Sequence, residues 1–465
     1  MNLAVLVNKE NKIKKSYFNN LKLTQAKDID NQDILVEEAT YKAYLSLQKE
    51  LLKSNIEIGI SSAYREITDQ QRIWDEYLNK YGEDYCNKYV ALPGYSEHHT
   101  GLCLDIVPKI NGKYLIDNKE LFNQEKLYQQ IYKYLNESGF ILRYPKDKES
   151  ITGYSYEPWH IRYVGKFIAN VINSNNLTLE EYKNNFQAVL FVNKEKGMTS
   201  YDVVSKLSKL FDLKKIGHTG TLDPMAEGLL IVLIGKATKV SSIVTLKDKE
   251  YIAEVLLGVK TDTLDNTGKI ISEKTVPNNL NIKEVLKSYQ KTYLQEVPIY
   301  SAVRINGKRL YEYARSNEKI TLPKKEVTIY NLELLQERDN TFTFKAKVSK
   351  GCYIRSLIND IGTSLNTYAT MTSLKRTKQG NISLEQSSTL TEIAQGKYKL
   401  YDISDILDYP VIKVNKDIEK DIRTGKKLPN IWNIENRVIF KNEEEYILGI
   451  YEKRAEKLAV LKNFV

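Results

Sequence analysis

At 465 residues the chain is longer than one typical domain, and its 42% hydrophobic and 10% aromatic content suffices for two or three cores, which excludes a disordered chain. A net charge of +10 favours a polyanionic partner such as nucleic acid. The cysteines, Cys86, Cys103 and Cys352, are few and far apart, which excludes a disulfide framework or a cysteine metal cluster and suits a reducing compartment.

In chain order, the opening MNLAVLVNKENKIKK holds an apolar run of only about five residues, short of the roughly 7–15 of a signal peptide. No stretch approaches the roughly 20 apolar residues of a membrane span, so a cytoplasmic protein is expected. Three of the four histidines then fall in two clusters, GYSEHHTGLCLDI (94–106) and GYSYEPWHIRYVG (153–165). A catalytic zinc needs three nitrogen or oxygen ligands, an open position for water, and a carboxylate to take that water's proton. His98, Asp105 and His160 are candidate ligands and Glu157 the candidate base. Pro158 argues against a helix interior, so this is not the helical HExxH arrangement. A histidine and an aspartate in a glycine-rich loop can also simply satisfy backbone groups. Two clusters sharing nearly all the histidine favour the metal, and His99 is expected to point away and serve packing.

The polar NVINSNNLTLEEYKNNFQ (170–187) reads as a short helix plus a linker. After it, SYDVVSKLSKLF (200–211) places Val203, Val204, Leu207, Leu210 and Phe211 on one helical face, with Ser200 as N-cap. GLLIVLIG (228–235) reads as a buried strand, and the alternation of TFTFKAKV (341–348) as a half-buried one. Between helix and buried strand, KKIGHTGTLDPMAEGLL (214–230) sets His218 five residues before Asp223. An aspartate before proline can be a turn former; a catalytic role requires a charge partner. SKGCYIRSLINDIG (349–362) supplies Arg355 where a helix begins, and arginine against a carboxylate orients it and favours its charged form. The remainder, about 391–465, holds short alternating segments of a small β-rich module in which Lys426 and Lys427 are candidate phosphate contacts, or merely a solvated face.

Two resemblances add to this reading. SSAYREITDQQ (61–71), PGYSEHHTGLCLDIV (93–107) and GFILRYPKDKESITGYSYEPWHIRYVG (139–165) together resemble the VanY-type zinc D-alanyl-D-alanine carboxypeptidases. The resemblance implies that His98, Asp105 and His160 bind Zn2+ and that Glu157 activates water. It also implies that Arg65 stabilises the oxyanion or holds the substrate carboxylate, and that the substrate is a D-alanyl-D-alanine peptide or wall precursor. Cys103 departs from the small residue usual at its position.

From about residue 188 onward the chain resembles the TruB-type tRNA pseudouridine synthases, in AVLFVNKEKGMTSYDVV (188–204), KIGHTGTLDPMAEGLLIVLIGKATK (215–239), KDKEYIAEVLLGVKTDTLDNTG (247–268), QEVPIYSAVRINGKRLYEYAR (295–315), VSKGCYIRSLINDIG (348–362) and LKRTKQG (374–380). This implies a cofactor-free isomerisation of the T-loop uridine (position 55) of tRNA. Asp223 acts as nucleophile or base, Tyr251 stacks on a base flipped out of the loop, Arg355 pairs with Asp223, Leu374 walls the pocket, and His218 props open or contacts the RNA. Glu195 stands where the family usually has proline, which affects loop stiffness.

The expected fold is α+β and multidomain: a small zinc-peptidase α+β domain at 1–172, a linker at 173–187, a pseudouridine-synthase mixed α/β-sheet domain at 188–390, and a β-rich RNA-binding module at 391–465. The function expected is that of a fused synthase and peptidase. The alternatives are an active synthase with an inert peptidase-like half, or a non-catalytic tRNA chaperone.

Overall fold

The computed structural model describes residues 2–465. The chain divides into two compact units: one runs to Phe186 and takes in Lys209–Leu213, and the other comprises Gln187–Ser208 and Lys214–Val465.

In the first unit, the strands Ile58–Ser62, Cys103–Ile110, His160–Tyr163 and Phe140–Leu142 form a sheet in that spatial order, with Lys113–Tyr114 paired to the second. Alternation along Cys103–Ile110 turns Leu104 and Ile106 into a core with Tyr44, Leu47 and Leu51 of helix Glu38–Leu52, and with Phe140 and Ile161. The opposite alternation sets Asp105 directly across from His160 in the register of the two strands. The stretch expected as a linker is instead largely packed. Helix Lys166–Ser174 is followed by helix Leu179–Asn184, which Thr178 opens with a capping box and which buries Leu179 and Tyr182. Its buried face explains the difference, because composition registered the asparagines and not the Leu179/Tyr182 spacing.

The second unit is built on a ten-stranded sheet. Its main path runs Thr292–Glu296, Lys324–Arg338, Thr341–Val348, Lys249–Leu257, Ala369–Gln379, Glu227–Gly235, Gln187–Lys194 and Leu400–Tyr401. Strand Glu227–Gly235 is buried throughout its centre, as its continuous apolar run dictates, and Thr341–Val348 alternates with Phe342, Phe344, Ala346 and Val348 inside. Where Glu227–Gly235 meets Ala369–Gln379 the pairing is parallel and tight. Gly228 has φ +102°, and a Cβ there would stand 2.4 Å from the carbonyl oxygen of Arg376. Helix Ser200–Phe211 buries Val203, Leu207 and Phe211, while Val204 and Leu210 are half-buried. Its cap is Thr199 rather than Ser200: Thr199 and Asp202 exchange backbone-to-side-chain bonds, which frees the Ser200 hydroxyl for another task.

The C-terminal module is β-rich. Strands Val411–Lys413, Arg437–Lys441, Ile447–Arg454, Lys457–Asn463 and Leu428–Pro429 form a five-stranded sheet over a core of Ile422, Val438, Phe440, Leu448 and Leu458. Lys426 is paired with Asp421 at 2.5 Å.

Candidate active sites

In the first unit, His98 and His99 lie in the short turn Glu97–Thr100, which Ser96 caps and Gly101 ends in the left-handed conformation at φ 68°. The His98 Nδ1 contacts the Ala63 carbonyl at 2.6 Å, leaving Nε2 to face Asp105 Oδ2 at 3.4 Å. His160 Nδ1 stands 3.0 Å from Asp105 Oδ1 and 3.5 Å from Glu157 Oε2. The two rings are nearly perpendicular with centroids 5.1 Å apart. His99 turns the other way, with its ring nitrogens on the Arg65 carbonyl and the Gly94 amide.

Ligand atoms about 2.0–2.1 Å from a tetrahedral zinc stand roughly 3.3 Å from one another. The 3.4 and 3.0 Å separations lie near that edge, each through a different oxygen of Asp105. Taken one donor atom per residue, the close groups are His98 with Cys103 and His160, and Asp105 with Glu157 and His160. Asp105 Oδ1 is buried with no hydrogen-bond partner although a ring nitrogen lies beside it, an arrangement of lone pairs that a cation between them satisfies. The donor set therefore fits zinc. Cys103, fully buried on the same strand, brings its sulfur within 4.8 Å of donor atoms of His98 and His160. Burial alone would raise its thiol; the two imidazoles outweigh that and bring it down to about 7.

Burial also pushes the Glu157 carboxyl up to about 7, with Asp105 adding to the rise and His160 opposing it, as suits a group that accepts and returns a proton. Asp105, Glu157 and His160 line a cavity of about 610 Å³ with Arg65, Tyr154 and Trp159. Arg65 is held by Gln70 (2.8 Å) and Ser62 (2.9 Å), and Gln70 in turn donates to the Ala91 carbonyl.

In the second unit, Asp223 follows the strand Ile216–Thr219, and its loop is fixed by the elements around it. The freed Ser200 hydroxyl accepts from the Leu222 amide (2.9 Å) and donates to the Leu222 carbonyl (3.1 Å). The Pro224 carbonyl accepts from the Gly197 amide at 2.8 Å. Lys194, fully buried, donates to the carbonyls of Glu195 and Met198, so the loop in which Glu195 replaces proline is tied down through its backbone. Arg376 donates to the carbonyls of Gly220 (2.9 Å) and Leu229 (2.7 Å).

Arg355, at the start of helix Ile354–Ser364, puts Nη2 on Asp223 Oδ2 at 2.9 Å and donates to the carbonyls of Tyr300 and Thr263. Asp223 and Arg355 share a cavity of about 890 Å³ with Tyr251, Leu374, Arg376 and Lys249. A register shift between Glu250 and Tyr251 re-aims the tyrosine within its strand. Burial raises its phenol, with Arg376 opposing. His218 does not line this cavity. It sits across from Val232 on strand Ile216–Thr219, with a buried Nδ1 that makes no hydrogen bond, and burial lowers its pKa.

Two residues of this site escaped the sequence reading. Asp265, 4% exposed, stands 3.8 Å from Nη1 of Arg355, whose Nη2 meets Asp223, and is itself held by Thr263 and Thr267. Arg376 is 1% exposed and carries the backbone contacts above. Asp265 lies in KTDTLDNTG, where its neighbours Asp262, Thr263 and Thr267 look equally eligible. Arg376 follows Leu374 in the quoted LKRTKQG, and a charged residue inside an alternating strand was the available signal.

The comparisons with known proteins find two families along the chain. The family model described as D-alanyl-D-alanine carboxypeptidase (VanY) matches residues 33–166. The TruB family pseudouridylate synthase N-terminal domain matches 208–354, and the tRNA pseudouridylate synthase B C-terminal domain 355–409. The chain is 39% identical over 280 residues to tRNA pseudouridine synthase B of Caldanaerobacter subterraneus, covering 59% of this chain and 98% of that one. It is 42% identical over 269 residues to the Fusobacterium nucleatum protein of the same name, covering 55% and 93%. Among solved structures, the vancomycin resistance D,D-pentapeptidase VanY in complex with Zn(II) is 31% identical with a TM-score of 0.34, covering 39% of this chain and 99% of that one. Among the described residues, no helix is long and apolar enough to cross a membrane. The chain thus belongs to the TruB family of tRNA pseudouridine synthases, isomerases in which a VanY-type carboxypeptidase domain here precedes the catalytic sheet.

Proposed function

We propose that the second unit isomerises the T-loop uridine (position 55) of tRNA and that the first is a zinc-dependent carboxypeptidase or dipeptidase of D-alanyl-D-alanine peptides. The observation that carries the first part is the Asp223–Arg355 pair at 2.9 Å inside a cavity walled by Tyr251 and Leu374. The uridine leaves its stack, and its base lies against Tyr251. Asp223, held by Arg355, acts on the sugar or the ring. The bond from C1′ to N1 breaks, the base turns, a bond from C1′ to C5 forms, and the C5 proton leaves as N1 gains one. No cofactor is required by this balance. His218, outside the cavity lining, serves the RNA loop rather than the flipped base. Tritium release from tRNA labelled at uridine C5 tests this: release is expected, and is lost when the T-loop uridine is replaced by cytidine. Release from that replaced tRNA assigns a different uridine.

The pairings of Asp105 with His98 and with His160, and of His160 with Glu157, carry the peptidase reading. His98, Asp105 and His160 hold zinc, which when bound supplies Lewis acidity at the scissile carbonyl. Glu157 takes a proton from the attacking water and returns it to the leaving amine. Arg65, its fork already oriented by Gln70 and Ser62, receives a carboxylate of the substrate. A protein that acts on tRNA meets it in the cytoplasm, so the peptide is a wall precursor or the free dipeptide. Chelator-sensitive release of D-alanine, lost in Glu157→Ala, is the expected result. No release from zinc-loaded, folded chain leaves an active synthase with an inert peptidase-like half.

A further inference from the structure

Behind the candidate zinc ligands lies a set of buried charges that the reactions above do not use. Glu97, 2% exposed, accepts at Oε1 from Arg143 Nε (2.8 Å) and Arg162 Nη1 (2.6 Å). Its Oε2 is buried without a partner and faces His160 Nε2, equally buried and without a partner, at 3.8 Å. That gap is about 0.8 Å longer than an ordinary N–H···O bond. Arg143 turns its other two nitrogens onto Glu180 in a fork-to-fork pair at 2.9 and 2.6 Å. Glu180 belongs to helix Leu179–Asn184, beyond the stretch that the VanY family model matches.

A neutral imidazole that turns the lone pair of Nδ1 to a metal carries its proton on Nε2. A buried carboxylate oxygen without a donor is costly. One proton on His160 Nε2 meets both requirements, and Glu97 is the carboxylate that faces that nitrogen.

We propose that Glu97 is the positioning residue of the metal centre: it receives the Nε2–H of His160 and so fixes the ring with Nδ1 toward the zinc. Arg143 and Glu180 hold Glu97 in place, which makes helix Leu179–Asn184 part of the centre although it lies outside the matched domain. The inference rests on the zinc reading of His98, Asp105 and His160. His98 is oriented differently, through the Ala63 carbonyl, so loss of Glu97 acts on one ligand alone.

The test is zinc affinity of the full chain, measured by competition with a chromophoric chelator. Glu97→Gln should weaken zinc binding about 10–100-fold, and Glu180→Gln by less in the same direction. Glu181→Gln, on the same helix but paired with Lys148, should leave affinity unchanged. On the unaltered zinc-loaded chain, nitrogen-proton NMR of labelled histidine should find His160 protonated at Nε2 with a slowly exchanging proton. This second measurement needs no variant to fold. A folded Glu97→Gln chain binding zinc within about twofold of the parent, or a His160 proton on Nδ1, overturns the inference while leaving the peptidase reading intact. An unaltered chain that takes up no zinc overturns both.

Discussion

The pairing of Asp223 with Arg355 was legible because GHTGTLDP is a long motif with a single acidic residue and Arg355 opens a helix directly after an alternating strand. Asp265 was not, since its meaning lies in a partner far along the chain that folding brings to 3.8 Å. Its removal should nevertheless be felt. Arg355 bonds Asp223 at 2.9 Å and has the Asp265 carboxylate 3.8 Å from its other terminal nitrogen, so loss of that charge weakens the field that orients the guanidinium. Asp265→Asn should lower the rate of tritium release about 2–5-fold, the effect of a charge at ion-pair but not hydrogen-bond distance, while Asp262→Asn at the same loop changes it little. Equal effects of the two substitutions would place Asp265 among merely structural residues. Lys194 gives a pH dependence. Burial lowers its ammonium to about 8 from the usual 10.5, so between those values the folded chain binds fewer protons there than the unfolded chain. Stability contributed at this site therefore rises with pH across that window, and the melting deficit of Lys194→Met should be larger near about pH 9.5 than near about pH 7.

At the scale of elements, the continuous run of Glu227–Gly235 and the alternation of Thr341–Val348 translated directly into strands, because burial on both faces or on one leaves a plain pattern. Polar composition misread 173–187, where Leu179 and Tyr182 and the buried Glu180–Arg143 pair dock a six-residue helix. The N-cap was displaced by one residue because Ser200 and Thr199 are chemically alike and only tertiary contacts choose between them. Ser200 is spent on Leu222, which couples the helix to the Asp223 loop. Thr199→Ala should cost about 1 kcal/mol, a melting shift of about 2–4 °C, with activity kept. Ser200→Ala should instead depress tritium release. Gly228→Ala is expected to be far worse than the ~1 kcal/mol of an ordinary glycine replacement, since its Cβ would meet backbone at 2.4 Å. A Gly228→Ala chain melting like the parent would show that the two strands can part there without loss.

For the whole molecule, the two sites draw on disjoint residues, and each unit has a core of its own. The candidate metal ligands and Glu157 all precede residue 161, and Asp223, Tyr251, Asp265 and Arg355 all follow residue 222. No proton, electron or intermediate of one reaction is a reactant of the other. The chemistry also differs in its response to ions. A chain of net charge +10 that binds tRNA displaces condensed counterions, so synthase activity at limiting tRNA should fall steeply with added salt. On the proposed peptidase reading, a small substrate would be held by one arginine fork in a cavity of about 610 Å³, and that activity should respond far less. A chelator should do the reverse, ending D-alanine release while tritium release from tRNA continues at its former rate. Asp223→Asn should in turn abolish tritium release and leave D-alanine release unchanged. Measuring both products from one preparation, across a salt series and with and without chelator, decides the matter. Parallel loss of the two activities under either treatment would mean that the units work as one, against the division of residues on which this expectation rests.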